Sequence, residues 1–246
     1  MFKKAIFLLS ILTIAVAGFS HAQAVKKIAA DRQRATQWKP DKGQYYFSHS
    51  IVFEYEDKAE NKKGEVKIYF DPVTGTLCFK KEDSFGDSGK AYDFIIAFQD
   101  GRYMHCGIEG STKKIRTTEK VEEVKPDAET QNQQKENFNT YLAATGNKRI
   151  DSGFESVEYD LSYATSENKD KIWVAAMPFS VYPIYGFELI EVAASLPISL
   201  DYMYLLGPNQ LISGLESKEA TLKLKSIGAD PFLAMTKNYQ EIKVNN

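Results

Sequence analysis

The feature that most constrains this chain is a two-residue alternation. From Gln44 to Glu56, Tyr45, Phe47, His49, Ile51, Phe53 and Tyr55 fall on one parity, and Tyr46, Ser48, Ser50, Val52, Glu54 and Glu56 on the other. Only an extended backbone sends successive side chains to opposite faces, so this segment reads as a strand with one strongly aromatic face. The period recurs at Val66, Ile68 and Phe70, and at Tyr92, Phe94, Ile96 and Phe98. It returns at Val157, Tyr159, Leu161 and Tyr163, which alternate with Ser156, Glu158, Asp160 and Ser162. Turn chemistry separates these runs at Asp71-Pro72-Val73-Thr74-Gly75, Asp100-Gly101 and Asp151-Ser152-Gly153. Further strands at Thr76–Lys81, Arg102–Glu109 and Lys113–Thr118 complete an antiparallel meander.

Helical spacing is sparser. Val25, Ile28, Ala35 and Trp38 predict a short amphipathic helix over Val25–Trp38, ended by Pro40. Between Glu119 and Asn137 the apolar period vanishes. A helix is expected over Ala128–Ala144, with Phe138, Tyr141 and Leu142 against the sheet and Gly146 as its stop. The Pro-punctuated stretch Met177–Pro208 is expected to hold a short helix at Phe187–Ser195 and a strand at Ile198–Leu206. Leu211–Ser217, Ala220–Ile227 and Asn238–Val244 read as closing strands. The fold class that results is α+β, mainly β: a curved antiparallel sheet of half-barrel form, covered by a few short helices, as one domain over residues 25–246. With 43% apolar and 13% aromatic residues the chain can fill a substantial core.

The N-terminus has a different character. Lys3 and Lys4 precede an uncharged run from Ala5 to Gly18, and Ala22-Gln23-Ala24 follows. A positive segment, an apolar segment shorter than the ~20 residues that span a bilayer, and a small-x-small site make residues 1–24 a signal peptide. Cleavage leaves a chain with no stable membrane span, exported to the periplasm of a Gram-negative bacterium or beyond it. Removing Lys3 and Lys4 turns 31 basic against 33 acidic residues into 29 against 33, a formal charge of −4. Mild acidity without a basic stripe excludes nucleic acid as a partner.

The pattern Ile150, Gly153-Phe154, Tyr159 and then Trp173 resembles a signature of an uncharacterised family of exported bacterial β-rich domains. That family is distantly similar to the Lol-type periplasmic lipoprotein carriers, and Ser156 stands where several relatives carry Cys. The resemblance spans roughly Tyr46 to Ile242. It implies a half-barrel with an apolar cavity able to take an acyl chain.

No catalytic constellation accompanies these strands. Gly86-Asp87-Ser88-Gly89 resembles the nucleophile loop of chymotrypsin-like proteases, but Lys90 follows it and His49 lacks the context of a catalytic base. Asp71-Pro72-Val73-Thr74-Gly75-Thr76 resembles the phosphorylated loop of ion-pumping ATPases, with Pro72 in place of the family's Lys, and reads as a β-turn. His49, His105, Cys78 and Cys106 lack paired metal-ligand spacing, so neither a metal nor a cofactor is expected. In a simple meander Cys78 and Cys106 are two strands apart, roughly 9 to 10 Å, beyond the ~7 Å limit for a bridge. Both are expected as free, buried thiols.

The residues left to carry a function are aromatic. Tyr45, Phe47, Phe53, Tyr55, Tyr92, Phe94, Phe98 and Trp173 either pack against the helices or line an apolar cavity. In the second case the chain is a non-enzymatic binder of a lipid or a lipoprotein acyl chain. An alternative is an envelope structural or interaction protein with a filled core and an exposed apolar patch around Tyr182–Leu206, which recruits a protein partner. A third reading, an enzyme, needs acids such as Asp93 or Glu158 to converge in one cleft.

Overall fold

The computed structural model describes residues 33–85, 91–110, 112–163, 166–191 and 194–242. The expected signal peptide, the start of the Val25–Trp38 helix and the Gly86–Gly89 loop lie outside them. The strands are β1 (Gln44–Asp57), β2 (Lys62–Phe70), β3 (Leu77–Lys80), β4 (Tyr92–Ala97), β5 (Arg102–Glu109), β6 (Lys113–Lys120), β7 (Leu142–Asp151), β8 (Phe154–Tyr163), β9 (Ser166–Ala176), β10 (Gln210–Glu216), β11 (Ala220–Met235) and β12 (Gln240–Glu241). They form one open, curved sheet in the order β12-β6-β5-β4-β3-β2-β1-β11-β10-β9-β8-β7. The helices are α1 (Lys81–Ser84), α2 (Ala128–Tyr141) and α3 (Tyr182–Tyr185). The molecule is therefore mainly β with few short helices.

The meander from β1 to β6 is antiparallel throughout, and β7, β8, β9, β10 and β11 form a second antiparallel run. Alternation and tight turns suffice for this. Gly101 at φ +86°, and Ser152 and Gly153 at +51° and +89°, take the left-handed backbone that the two tight turns need. Cys78 and Cys106 lie in β3 and β5 with β4 between them, free and fully buried.

One end of the sheet departs from the expected parity. Ile51 and Phe53 pack with Val66, Ile68, Leu77 and Ile95, whereas Tyr45 and Phe47 pack with Tyr69, Cys78, Phe94 and Ile96. Ile68 and Tyr69 are neighbours in β2 and point to opposite faces, so β1 changes sides along its length. The change falls between Phe47 and His49, opposite Ala229–Phe232 of β11, where the register slips. Pro231 sits in that slip. It has no N–H for a ladder, and an irregular position is where a strand tolerates it.

This bend explains a strand end that the sequence conceals. β11 does not stop at Ile227 but runs on to Met235, then crosses to the far edge, where β12 pairs parallel with Ile115 and Arg116 of β6. The crossing is a strap over one face. Phe232, Ala234 and Tyr239 close it onto Tyr45, Phe47, Phe94 and Cys106, and Trp38 packs edge-on against Tyr45 and Phe47. Gly43 secures the strap: at φ +63° its carbonyl accepts from Thr236 N at 2.7 Å, and a Cβ there would meet Thr236 Oγ1 at 2.7 Å. Residues 33–37 are helical, and Arg34 donates twice, at 2.7 Å, to the fully buried Asp71 carboxylate.

The opposite face is covered differently. The segment 177–208 lies over it, with Val181, Tyr182, Ile184, Tyr185, Leu200, Leu205 and Leu206 at 0% exposure. Phe187 packs on Phe79 and Phe85 at 4.5 and 5.5 Å between ring centres. Of the expected Phe187–Ser195 helix, residues 192–193 lie outside the described residues and the start is a 3₁₀ turn over Gly186–Leu189 that follows α3, while the expected Ile198–Leu206 strand is a turn-rich coil. Prolines punctuate the segment at 178, 183, 197 and 208, and Pro197, which has no N–H, sits between the two expected elements. The segment is fixed by Tyr103 and Tyr185 hydroxyls donating to the carbonyls of Pro183 and Gln210, and by Gln99 donating to Ser180 O.

Helix α2 is shorter than expected. It begins at the Asp127 cap, whose carboxylate accepts from Thr130 N, and ends at Tyr141. Leu142 already belongs to β7, so Gly146 lies within a strand, at φ +88°, where β7 is irregular between Ala144 and Lys148. A left-handed glycine is compatible with a helix stop and a strand bulge alike, and pairing to β8 decides for the bulge.

Candidate functional site

The eight aromatic residues singled out by the sequence do not converge. Tyr45, Phe47, Phe94 and Phe98 belong to the core under the strap, and Phe53, Tyr55 and Tyr92 to the core under the 177–208 cover. Phe47 and Phe53 are completely buried. Trp173 stands apart on the polar face of β9, paired with Glu158, with the Arg149 guanidinium 4.2 Å above its ring. Gly214 permits that stack, because a Cβ there would come within 2.6 Å of Arg149 Nη2 and 3.0 Å of Trp173 Cδ1.

The wet face of β8 is also not what alternation implies. Ser156 is fully buried and Glu158 nearly so, while Val157 and Tyr159 are half-buried. Ser213 donates to Ser156 Oγ at 2.7 Å, and Thr145 and Asn147 from the irregular part of β7 donate to Glu158 Oε1. Burial works against the Glu158 charge, but bonds from Asn147, Thr145 and Lys171 hold its carboxyl below the ordinary range. Asp93, in β4, accepts from Tyr239 Oη at 2.5 Å. Six strands separate β4 from β8, so these two acids share no cleft.

One buried ionisable group on the cover side, His105, has no hydrogen-bond partner for its Nε2 among the described residues. His105 is 4% exposed, and burial pushes its imidazole down to about 4. Glu119 Oε1 lies 3.5 Å from its Nε2, longer than a hydrogen bond, and burial pushes the Glu119 carboxyl up. Glu119 instead accepts from Glu191 N of the cover. Among the described residues no cluster of three or more His, Cys, Asp or Glu side chains is arranged to hold a metal. No helix there is long and apolar enough to cross a membrane.

The surface that gathers recognition chemistry is the one between α2 and the end of the cover. A cleft of about 350 Å³ is lined by Gln131, Gln134, Lys135, Phe138, Asn139, Leu205, Gly207, Pro208 and Gln210. Gln134 Nε2 donates to Met203 O at 2.7 Å and Asn137 Nδ2 to Tyr204 O at 2.8 Å, which fastens α2 to this loop. Beside it Tyr204 and Tyr163 are 48% and 39% exposed, the largest aromatic exposure on this side, and Tyr163 donates to Asp170 at 2.6 Å. Burial first, then Asp170 and the neighbouring Tyr202 and Tyr204, raise the Tyr163 phenol. Among the described residues the expected apolar patch over Tyr182–Leu206 is thus mostly interior, with Leu189 and Tyr204 as exposed large apolar members. The sequence signal for this surface was the amide run Gln131, Gln133, Gln134, Asn137 and Asn139, which reads equally as a solvated helix face.

No family model matches the chain, and no curated protein matches it. Among solved structures it is similar to PNGF-II in a C2 crystal, at a TM-score of 0.42 and 7% identity over 81% of this chain and 31% of that one. The P21 crystal of PNGF-II gives 0.40 and 8% identity over 80% and 31%. This chain therefore spans under a third of PNGF-II, and a likeness at this level carries no argument about fold or function.

Proposed function

We propose that the protein is an exported, non-enzymatic interaction protein of the bacterial envelope, with a filled core and a partner-binding face made by α2, residues 202–210 and Tyr163. The observation that carries this reading is the cover: Met177–Pro208 occupies the sheet face that an apolar ligand would need, with seven of its described side chains at zero exposure. Half-exposed tyrosines beside a rigid helix are typical anchors of a protein interface. Affinity purification of the tagged protein from the periplasm or medium tests it. One stoichiometric protein partner is expected, retained by wild type and lost with Tyr163→Ala and Tyr204→Ala together. Recovery of the chain alone, or equal recovery of the partner by that double variant, overturns the reading.

A second reading, a carrier of a lipid or lipoprotein acyl chain, is supported by one feature of the same cover. It rests on the sheet through side chains and a few hydroxyl and amide bonds rather than as a paired strand. In this reading the cover swings away and a ligand takes its place against Phe53, Tyr55 and Tyr92. Native mass spectrometry decides for it if lipid co-purifies and a fluorescent fatty acid binds, and against it if neither occurs.

A further inference from the structure

The cleft beside α2 holds side-chain amides that are each tied at one end. Gln131 Nε2 donates to Pro126 O at 3.0 Å, which leaves its Oε1 as an acceptor. Gln210 Oε1 accepts from Gly207 N at 2.6 Å, which leaves its Nε2 as a donor. Gln134 is 6% exposed and spends its Nε2 on Met203, while its buried Oε1 meets no donor. A buried acceptor left unmet costs about 1–3 kcal/mol, so the ends open to a ligand are those of Gln131 and Gln210, while Gln134 holds the wall through Met203. Such amides are pre-oriented, because the bond at one end fixes the direction of the other.

We infer that this cleft is a binding site for a neutral saccharide. Its volume, about 350 Å³, lies at the small end of the ~300–1,000 Å³ of ligand sites and admits one or two sugar rings. Hydroxyls donate and accept at once, as the acceptor end of Gln131 and the donor end of Gln210 require. Phe138, Leu205 and Pro208 supply apolar surface for the C–H face of a ring. Among the described residues Lys135 is the only ionisable side chain in the lining, which gives neither the paired cations of an anion site nor the acids of a cation site. The inference goes beyond the protein-partner reading and does not need it.

The test is titration of the full exported chain with maltose, cellobiose and the N-acetylglucosamine dimer, followed by the side-chain amide signals in NMR. At least one disaccharide is expected to shift the Gln and Asn side-chain signals saturably, with millimolar affinity or tighter. Gln134→Leu, which frees the wall from Met203, and, separately, the more exposed Gln131→Ala should each weaken it about tenfold, the effect of one lost hydrogen bond. Gln131→Ala keeps the test valid if Gln134→Leu fails to fold. Absence of a saturable shift with all three sugars, or affinity unchanged in Gln131→Ala, overturns the inference. Purification of a protein partner is a separate readout, so either idea can fail alone.

Discussion

The two faces of the β1–β6 meander are closed by different devices, and the contrast shows how one chain finishes a two-sided sheet. On one face the strap formed by the end of β11 and β12 is held by backbone pairing, to β1 on one side and β6 on the other. On the other face the described residues of the 177–208 cover join no strand and are held by apolar contact, with hydroxyl and amide bonds at a few points. A ladder satisfies its own backbone groups and tolerates modest side chains. A coil outside any ladder needs large buried residues to offset its ordering.

If that contrast is right, truncating a cover aromatic is the most damaging single change. Phe187→Ala removes a ring wedged between Phe79 and Phe85 and should cost about 3–5 kcal/mol, read as a lower midpoint in urea unfolding. A loss below ~1 kcal/mol would mean that the cover is only loosely applied.

Acid is the next probe, because the cover side contains His105. Its folded-state value of about 4 lies below the ordinary 6.5, so the unfolded chain binds the proton more readily. This contribution is complete above pH 6.5 and declines as pH falls towards 4, by about 3 kcal/mol in all. His105→Leu should flatten that part of the stability profile. Asp71 behaves in a separate window: burial opposes its charge, but Arg34 and Thr74 lower its carboxyl, so its contribution is lost only at more acidic pH.

Changes on the strap should be smaller. Gly43→Ala meets a left-handed φ and a Cβ contact at 2.7 Å, and should cost on the order of 1–2 kcal/mol in thermal unfolding. Arg116→Ala removes a 3.0 Å pair with Glu241 at the β6–β12 junction, where Glu241 is 58% exposed. A loss under ~1 kcal/mol is expected, with faster amide exchange confined to β12. A larger effect would show that the strap depends on its end pairing.

How much was legible follows the range of the interactions. β2 and the hairpin at Asp100-Gly101 are local: alternation and a turn pair specify them, whereas Tyr92 and Phe94 of β4, which alternation puts on one face, lie in the cores on opposite faces because the register to β5 slips between them. The side on which Tyr45 and Phe47 lie was not, because it depends on Pro231 in a strand that meets β1 only in the folded sheet. The end of α2 was misplaced because Gly146 suits either of two roles. The amide cleft was invisible because its second wall, Leu205–Gln210, comes from the far end of the cover.

The sequence by itself determined the mainly β class, most strands, their meander order and two unbridged cysteines, since period-two patterning and turn residues act within a few positions. The tertiary structure alone decided which face each aromatic fills, that Met177–Pro208 covers the sheet, and where α2 meets the cover. Those outcomes depend on contacts between segments far apart in the chain, and nothing in local periodicity records which distant surface a buried side chain will meet.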